Sequence, residues 1–280
     1  MLNTLSFITN HPLTRDRPLA ALARFARWQV ASRLKREVIF DWIEGSKLAA
    51  RHGMAGATGN IYCGLHEFAD MAFMLHMLRP GDLFVDVGAN IGSYTVLASA
   101  VCGAETLAIE PDPGTMVSLK RNIEVNEIGG RVTVFEVALG AEQGVAKFTV
   151  GLDSMNRMAS DLDTNVREVP VRKLDDVVGD RNPVLLKLDV EGHEAAVFAG
   201  AHATLRKKSL IAIETESRDP ALVNQLEQAG FEEVFYDPLT RQLLEEPRWH
   251  QNNALFVRDS DELAKRLKQT RPITVLGRSL

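Results

Sequence analysis

The chain has 280 residues, of which 45% are hydrophobic, 25% charged and 6% aromatic, with a net charge of −5. That apolar content excludes a mainly disordered chain, and the length suits one large domain or a core domain with an added arm. Cys63 and Cys102 cannot staple a fold of this size, and no apolar run approaches the roughly 18 residues of a membrane span. With no signal-peptide pattern at the start, a cytoplasmic location is expected.

Residues 1–55 read as an N-terminal helical arm. Leu19, Leu22, Ala23, Ala26, Val30, Leu34 and Val38 recur at helical spacing, which predicts amphipathic helix from about 18 to 50. Positions 15–39 hold seven basic residues against Asp16 and Glu37, a local +5 that leaves −10 for the rest of the chain. Such a helix is expected to dock on the acidic body with a solvated charged face; peripheral contact with an anionic membrane surface or an anionic substrate is the other use of that pattern. The glycine-rich stretch Gly53 to Gly64 predicts a hinge or lid loop, with Tyr62, His66 and Glu67 placed to fold over a ligand.

From about Pro80 onward, short apolar runs alternate with helical patterns. Residues 82–87, 105–110, 131–137, 184–189 and 209–214 read as buried parallel strands. Asp112–Pro113 and Asp219–Pro220 each place a capping aspartate before a proline at a helix start, and Gly230 closes the second of these helices. Residues 232–236 and 254–258 predict an antiparallel pair at the sheet edge. The fold class expected is α/β, a Rossmann-like, doubly wound and mostly parallel sheet.

In such a sheet, ligands sit outside the carboxyl ends of the strands. The first strand runs into Asp86, Gly88, Asn90 and Gly92, a tight turn without the middle glycine that a pyrophosphate binder uses. Asp86 disfavours phosphate and favours a cation. Glu110 ends the next strand eighteen residues past Gly92, where an acid accepts ribose hydroxyls; Asp189 ends another, with Glu191 two residues on. Together they describe a site for a nucleoside carrying positive charge and an amino group, which is S-adenosylmethionine.

With those residues assembled, the chain resembles a class I methyltransferase of the FkbM family. The resemblance rests on PGDLFVDVGANIGSYT (80–95), AIEPDP (108–113), LKRNIEVN (119–126), VALG (137–140), VRKLDD (171–176), LKLDVEGHEAAVFAG (186–200) and IAIETE (211–216). It implies a methyltransferase domain over 56–280 with a seven-stranded sheet, S-adenosylmethionine as donor, and methylation of a hydroxyl oxygen on a natural product, a sugar or a glycan- or lipid-linked precursor. By resemblance, Asp86, Gly88 and Asn90 line the methionine end of the cofactor, Glu110 holds the ribose, and Glu136, Val137 and Ala138 flank the adenine. Asp189 would sit beside the sulfonium.

For an alcohol acceptor, His193 is the first candidate base, because its ordinary pKa near 6.5 suits proton acceptance at neutral pH; the bland alternative is a solvated histidine in a helix turn. Asp189 and Glu191 follow. Asp189, Glu191, Glu214 and Glu216 carry oxygens of the kind Mg²⁺ takes, but a cationic cofactor already accounts for strand-end acids, so a metal is the lesser expectation. Asn156 and Arg157 are candidates to face the acceptor, and Trp28, Trp42 and Trp249 are expected to pack. No nucleic-acid partner is expected, since the only net-basic stretch is the arm and the body is net acidic. The rival readings are a non-catalytic nucleoside-binding protein and an NAD-dependent oxidoreductase.

Overall fold

The computed structural model describes residues 2–149, 157–159 and 163–280. The arm opens with helices α1 (Leu2–Asn10) and α2 (Pro18–Leu34), the latter with proline in its first turn. The helix predicted to run to residue 50 stops at Leu34. Residues beyond it form an antiparallel hairpin, β1 (Val38–Asp41) and β2 (Lys47–Ala50), because Val38, Ile39 and Phe40 favour strand and Glu44–Gly45 make the turn, both at positive φ.

The facing of α2 also differs from expectation. Its buried residues are Ala21, Trp28 and Ser32, and Ala21 and Trp28 join a cluster with Ile8, Ala50, Tyr62 and Ile91. The stripe at helical spacing points outward: Leu19 is 81% exposed, Val30 59% and Leu34 80%. One indole outweighs several small side chains in buried area, so Trp28 sets the inward face.

The glycine-rich stretch is not a loop but helix α3 (Ala55–Cys63). Gly59 serves close approach, since a Cβ on it would lie 2.5 Å from the His66 ring. Tyr62 is not positioned over a ligand. It is buried under α2, where Gln29 donates to its hydroxyl and Arg24 to its carbonyl.

Next come α4 (Phe68–Met77), β3 (Leu83–Val87), α5 (Ser93–Val96, continued by a π-helical turn to Val101), β4 (Glu105–Ile109), α6 (Pro113–Val125) and β5 (Val132–Phe135). Strands β6 (Ala138–Leu139), β7 (Gly144–Thr149) and β8 (Val166–Arg172) form a separate small sheet. The chain continues through α7 (Leu174–Val178), β9 (Pro183–Leu188), α8 (Glu194–Ala199), α9 (His202–Leu205), β10 (Ala212–Thr215) and α10 (Pro220–Gln228). It ends with β11 (Glu232–Asp237), β12 (Gln242–Leu244), β13 (Ala254–Val257), α11 (Ser260–Lys268) and a terminal hairpin, β14 (Thr274–Val275) and β15 (Arg278–Ser279).

The main sheet has the order β12-β11-β13-β10-β9-β3-β4-β5. The seven strands expected are present, and the short β12 extends the edge as an eighth. Residues 232–236 and 254–258 pair antiparallel as predicted, with β13 inserted between β10 and β11. Phe84, Leu185 and Ala212 face α4 and α11, whereas Val85, Leu186 and Ile213 face the helices α7 to α10, so both sides of the sheet are covered. Asp112 and Asp219 cap α6 and α10, accepting from the backbone N–H of Thr115 and Ala221, and Gly230 takes a φ of 87° just past α10. Cys63 and Cys102 are free and buried. Among the described residues no helix is long and apolar enough to cross a membrane.

Candidate active site

From β3 the chain proceeds outward to β4 and β5, then returns to β9 on the other side of β3. This reversal leaves a crevice above the carboxyl ends of β3 and β9, where neighbouring loops diverge. A cavity of about 270 Å³ opens there.

Gly88 makes the crevice feasible. Its φ is 79°, and a Cβ on it would lie 1.9 Å from the carbonyl oxygen of Asp189. Gly88→Ala is therefore expected to destabilise the fold by about 2–4 kcal/mol through left-handed strain and overpacking, read by urea denaturation. Gly92, expected to contact the ligand, lies outside the cavity wall; it caps α5, and Leu119 occupies the space its Cβ would need.

Glu110 lines the cavity and is itself a fixed acceptor. Its Oε2 accepts from the N–H of Asn90 at 3.0 Å and its Oε1 from the N–H of Asp112 at 2.9 Å. A carboxylate offers four lone pairs, so each oxygen keeps one for a ligand. Burial is the main cause that pushes its pKa up to about 7, against the two backbone bonds. Asn90 adopts a φ of 51° and accepts from the next N–H through its own side chain, which holds the turn open.

Three charged side chains stand in cross-strand register: Asp86 beside Lys187, and Lys187 beside Glu214. All three are buried, with Lys187 only 2% exposed. Lys187 Nζ donates to Asp189 at 2.8 Å and sits 4.6 Å from the centre of the Tyr94 ring. Burial opposes its charge, but Asp189, Glu67 and Asp86 outweigh this and raise its pKa above the ordinary lysine value. Asp86 accepts from the Thr95 hydroxyl at 2.6 Å, and burial pushes it up to about 6 while Lys187 opposes the rise. Tyr94 in turn donates to Glu67. Lys187 has little signal in the sequence, only that of a lysine inside the apolar run VLLKLD.

The cavity wall also carries Asp189, Glu191, His193 and Glu216. One oxygen each of Asp189, Glu191 and Glu216 falls within 4.8 Å of the others. Glu214, named with them as a metal ligand, is not there: it is buried near Asp70 and Lys187, and burial and Asp70 raise its pKa. Burial pushes Glu216 up to about 7, helped by Asp189 and Glu191, and raises Glu191 as well. His193 is lowered by burial, although Glu194 pulls the other way.

Of the residues expected to flank the adenine, Val137 and Ala138 line the cavity and Glu136 does not. Strand β5 ends at Phe135, and Glu136 turns to the surface, where it meets Lys120 at 3.5 Å. Phe148 of β7 and Met158, which bridges to it from outside the strands, complete this apolar wall and carry no sequence signal. His66 and Glu67 line the wall with Gly56 and Asn60 of α3. Arg157 pairs with Asp163 away from the cavity, and Asn156 lies outside the described residues. The tryptophans pack: Trp28 is buried, Trp42 donates to the Gly64 carbonyl and Trp249 to Asp237.

The sequence profile of the methyltransferase FkbM domain matches residues 86–235, from the end of β3 through most of β11. The chain is 30% identical over 172 residues to the 31-O-demethyl-FK506 methyltransferase FkbM of Streptomyces tacrolimicus, covering 48% of this chain and 65% of that one. It is 25% identical over 157 residues to the hexuronic acid methyltransferase AglP of Haloferax volcanii, covering 55% and 64%. These matches span less than two thirds of either relative. A solved structure, the methyltransferase FkbM of Methylobacillus flagellatus, superposes with a TM-score of 0.45 at 19% identity, covering 63% of this chain and 43% of that one. Since the profile takes in over half of the residues, including Asp86, Glu110, Lys187, Asp189 and His193, this chain belongs to the methyltransferase FkbM domain family.

Proposed function

We propose that the protein transfers a methyl group from S-adenosylmethionine to a hydroxyl oxygen of a small molecule, sugar or glycan- or lipid-linked precursor. The observation that carries this reading is a single cavity lined both by Glu110, with a lone pair free on each oxygen, and by the group of Asp189, Glu191, His193 and Glu216. The donor set fits the cofactor. Glu110 would hold the ribose hydroxyls, Val137, Ala138 and Phe148 the adenine, and the carboxylates of Asp86 and Asp189 the cationic end. When bound, S-adenosylmethionine supplies a methyl group activated by its sulfonium.

The protein's own contribution is positioning and proton handling. Lys187 holds the Asp189 carboxylate through its 2.8 Å bond, which fixes one wall of the acceptor end. His193, kept neutral at pH 7 by its lowered pKa, would accept the hydroxyl proton as the oxygen attacks. Both named relatives are methyltransferases, one acting on a demethylated FK506 and the other on a hexuronic acid, which supports a hydroxyl-bearing acceptor. A nicotinamide dinucleotide fits poorly, because its pyrophosphate would approach Asp86 while Lys187 is engaged by Asp189.

Calorimetry with S-adenosylmethionine, S-adenosylhomocysteine and NAD tests the cofactor assignment. Binding of the first two and not the third is expected. Absence of binding by either methionine-derived ligand at low-millimolar concentration sinks the proposal. A mass-spectrometric screen of sugar, glycan-precursor and natural-product alcohols for methyl gain then addresses the acceptor.

A further inference from the structure

Among the described residues nothing covers the outer face of α2, which carries an apolar stripe. Leu19, Ala23, Ala26, Val30 and Leu34 recur at steps of four, three, four and four, so they lie along one side of the helix, and all five are exposed. Seventeen residues at 1.5 Å each make this stripe about 25 Å long. Around it, charge has one sign. No acidic residue occurs between Asp16 and Glu37, whereas Arg27 and Arg33 flank the stripe and Lys35 and Arg36 follow it. Among the described residues, the side chains of Arg27, Lys35 and Arg36 form no ion pair and no hydrogen bond; Arg33 bonds only to Gln29 of its own helix.

We propose that α2 docks the protein on an anionic lipid surface, with this stripe in the headgroup–acyl boundary and the arginines and lysine on lipid phosphates. An apolar stripe edged by unpaired cations is the pattern of an interfacial helix, which combines apolar burial with attraction to anionic lipid. A second copy of this chain is a poor occupant, because stacking two such faces sets Arg27, Arg33, Lys35 and Arg36 against their own copies. A folded protein partner is also disfavoured. Stable interfaces centre on aromatic anchors, and the two aromatics of α2 turn inward, Phe25 onto Tyr62 and Trp28 onto Phe40. Since α2 packs on α3, whose Gly56 and Asn60 line the cavity, docking would hold the candidate active site one helix away from the lipid. The proposal rests on the outer face alone and stands or falls independently of methyl transfer.

Flotation of the full-length protein tests it, with vesicles of phosphatidylcholine alone and of phosphatidylcholine mixed with phosphatidylglycerol. Binding to the mixed vesicles only, weakening as salt rises, is expected. Two variants separate the contributions: Leu19→Glu/Val30→Glu/Leu34→Glu removes the apolar stripe, and Arg27→Gln/Lys35→Gln/Arg36→Gln removes the unpaired cations. Each should lower the fraction floated at least about tenfold. Because every substituted side chain is exposed, thermal melts and S-adenosylmethionine binding should stay at wild-type values. No binding to the mixed vesicles, equal binding to both vesicle types, or unchanged flotation of either variant overturns the proposal. Dimerisation in sedimentation that the leucine–valine variant abolishes, without vesicle binding, would also overturn it by assigning the stripe to a second copy.

Discussion

Glu110→Ala is expected to weaken S-adenosylmethionine binding by about 10²–10⁴-fold in calorimetry. A hydrogen bond to a charged partner contributes about 1.5–3 kcal/mol, and the carboxylate keeps one lone pair per oxygen for two ribose hydroxyls. The loss has a second origin. The N–H groups of Asn90 and Asp112 now bond to Glu110, and without it the turn that shapes the cavity loses both its acceptors. The same carboxylate makes binding depend on pH. Burial pushes Glu110 up to about 7, so in the ligand-free protein it is partly protonated at neutral pH. Hydroxyl donors favour the ionised form, so affinity should rise between pH 6 and 8 with release of a proton, visible as a buffer-dependent heat. Asp86, raised to about 6, adds in the same direction toward a cation. Affinity that is independent of pH and little changed in Glu110→Ala would remove Glu110 from the ribose site.

The second large effect concerns the base. His193→Ala should lower turnover by about 10²–10⁴-fold while cofactor affinity stays the same. A base must be deprotonated to act, so the rate falls as pH drops through its pKa. His193 is lowered from 6.5 by burial, which places that acid limb below pH 6.5. Glu216 lines the same cavity and is pushed up to about 7, so a glutamate base would place the limb near pH 7. The pH–rate profile therefore separates the two. A limb near 7 that vanishes in Glu216→Gln, with turnover retained in His193→Ala, would assign the proton to Glu216.

Much of the body was legible because its signals are local. Buried parallel strands are continuous apolar runs, and an aspartate before a proline marks a helix start whatever packs against it. Strand-end residues also locate themselves, since a doubly wound sheet presents its strand ends to one crevice; Asp86, Glu110, Asp189, Glu191 and His193 all reached the cavity wall. The misplacements share a different cause. Glu136 lies outside the site because β5 ends at Phe135, just before it, and its side chain turns to the surface beside Lys120. Gly56 and Gly59 suggest a loop, yet both sit in a helix, and at Gly59 the His66 ring needs the space a Cβ would fill.

The sequence by itself determined the strand–helix alternation, the charge asymmetry between arm and body, and the acids at the ends of the strands. Tertiary structure alone decided which face of α2 is covered, because periodicity shows that a face is apolar but not what lies against it. It also decided the row of Asp86, Lys187 and Glu214. Cross-strand register places those three side by side, and spacing along the chain does not encode the register between separate strands such as β3, β9 and β10.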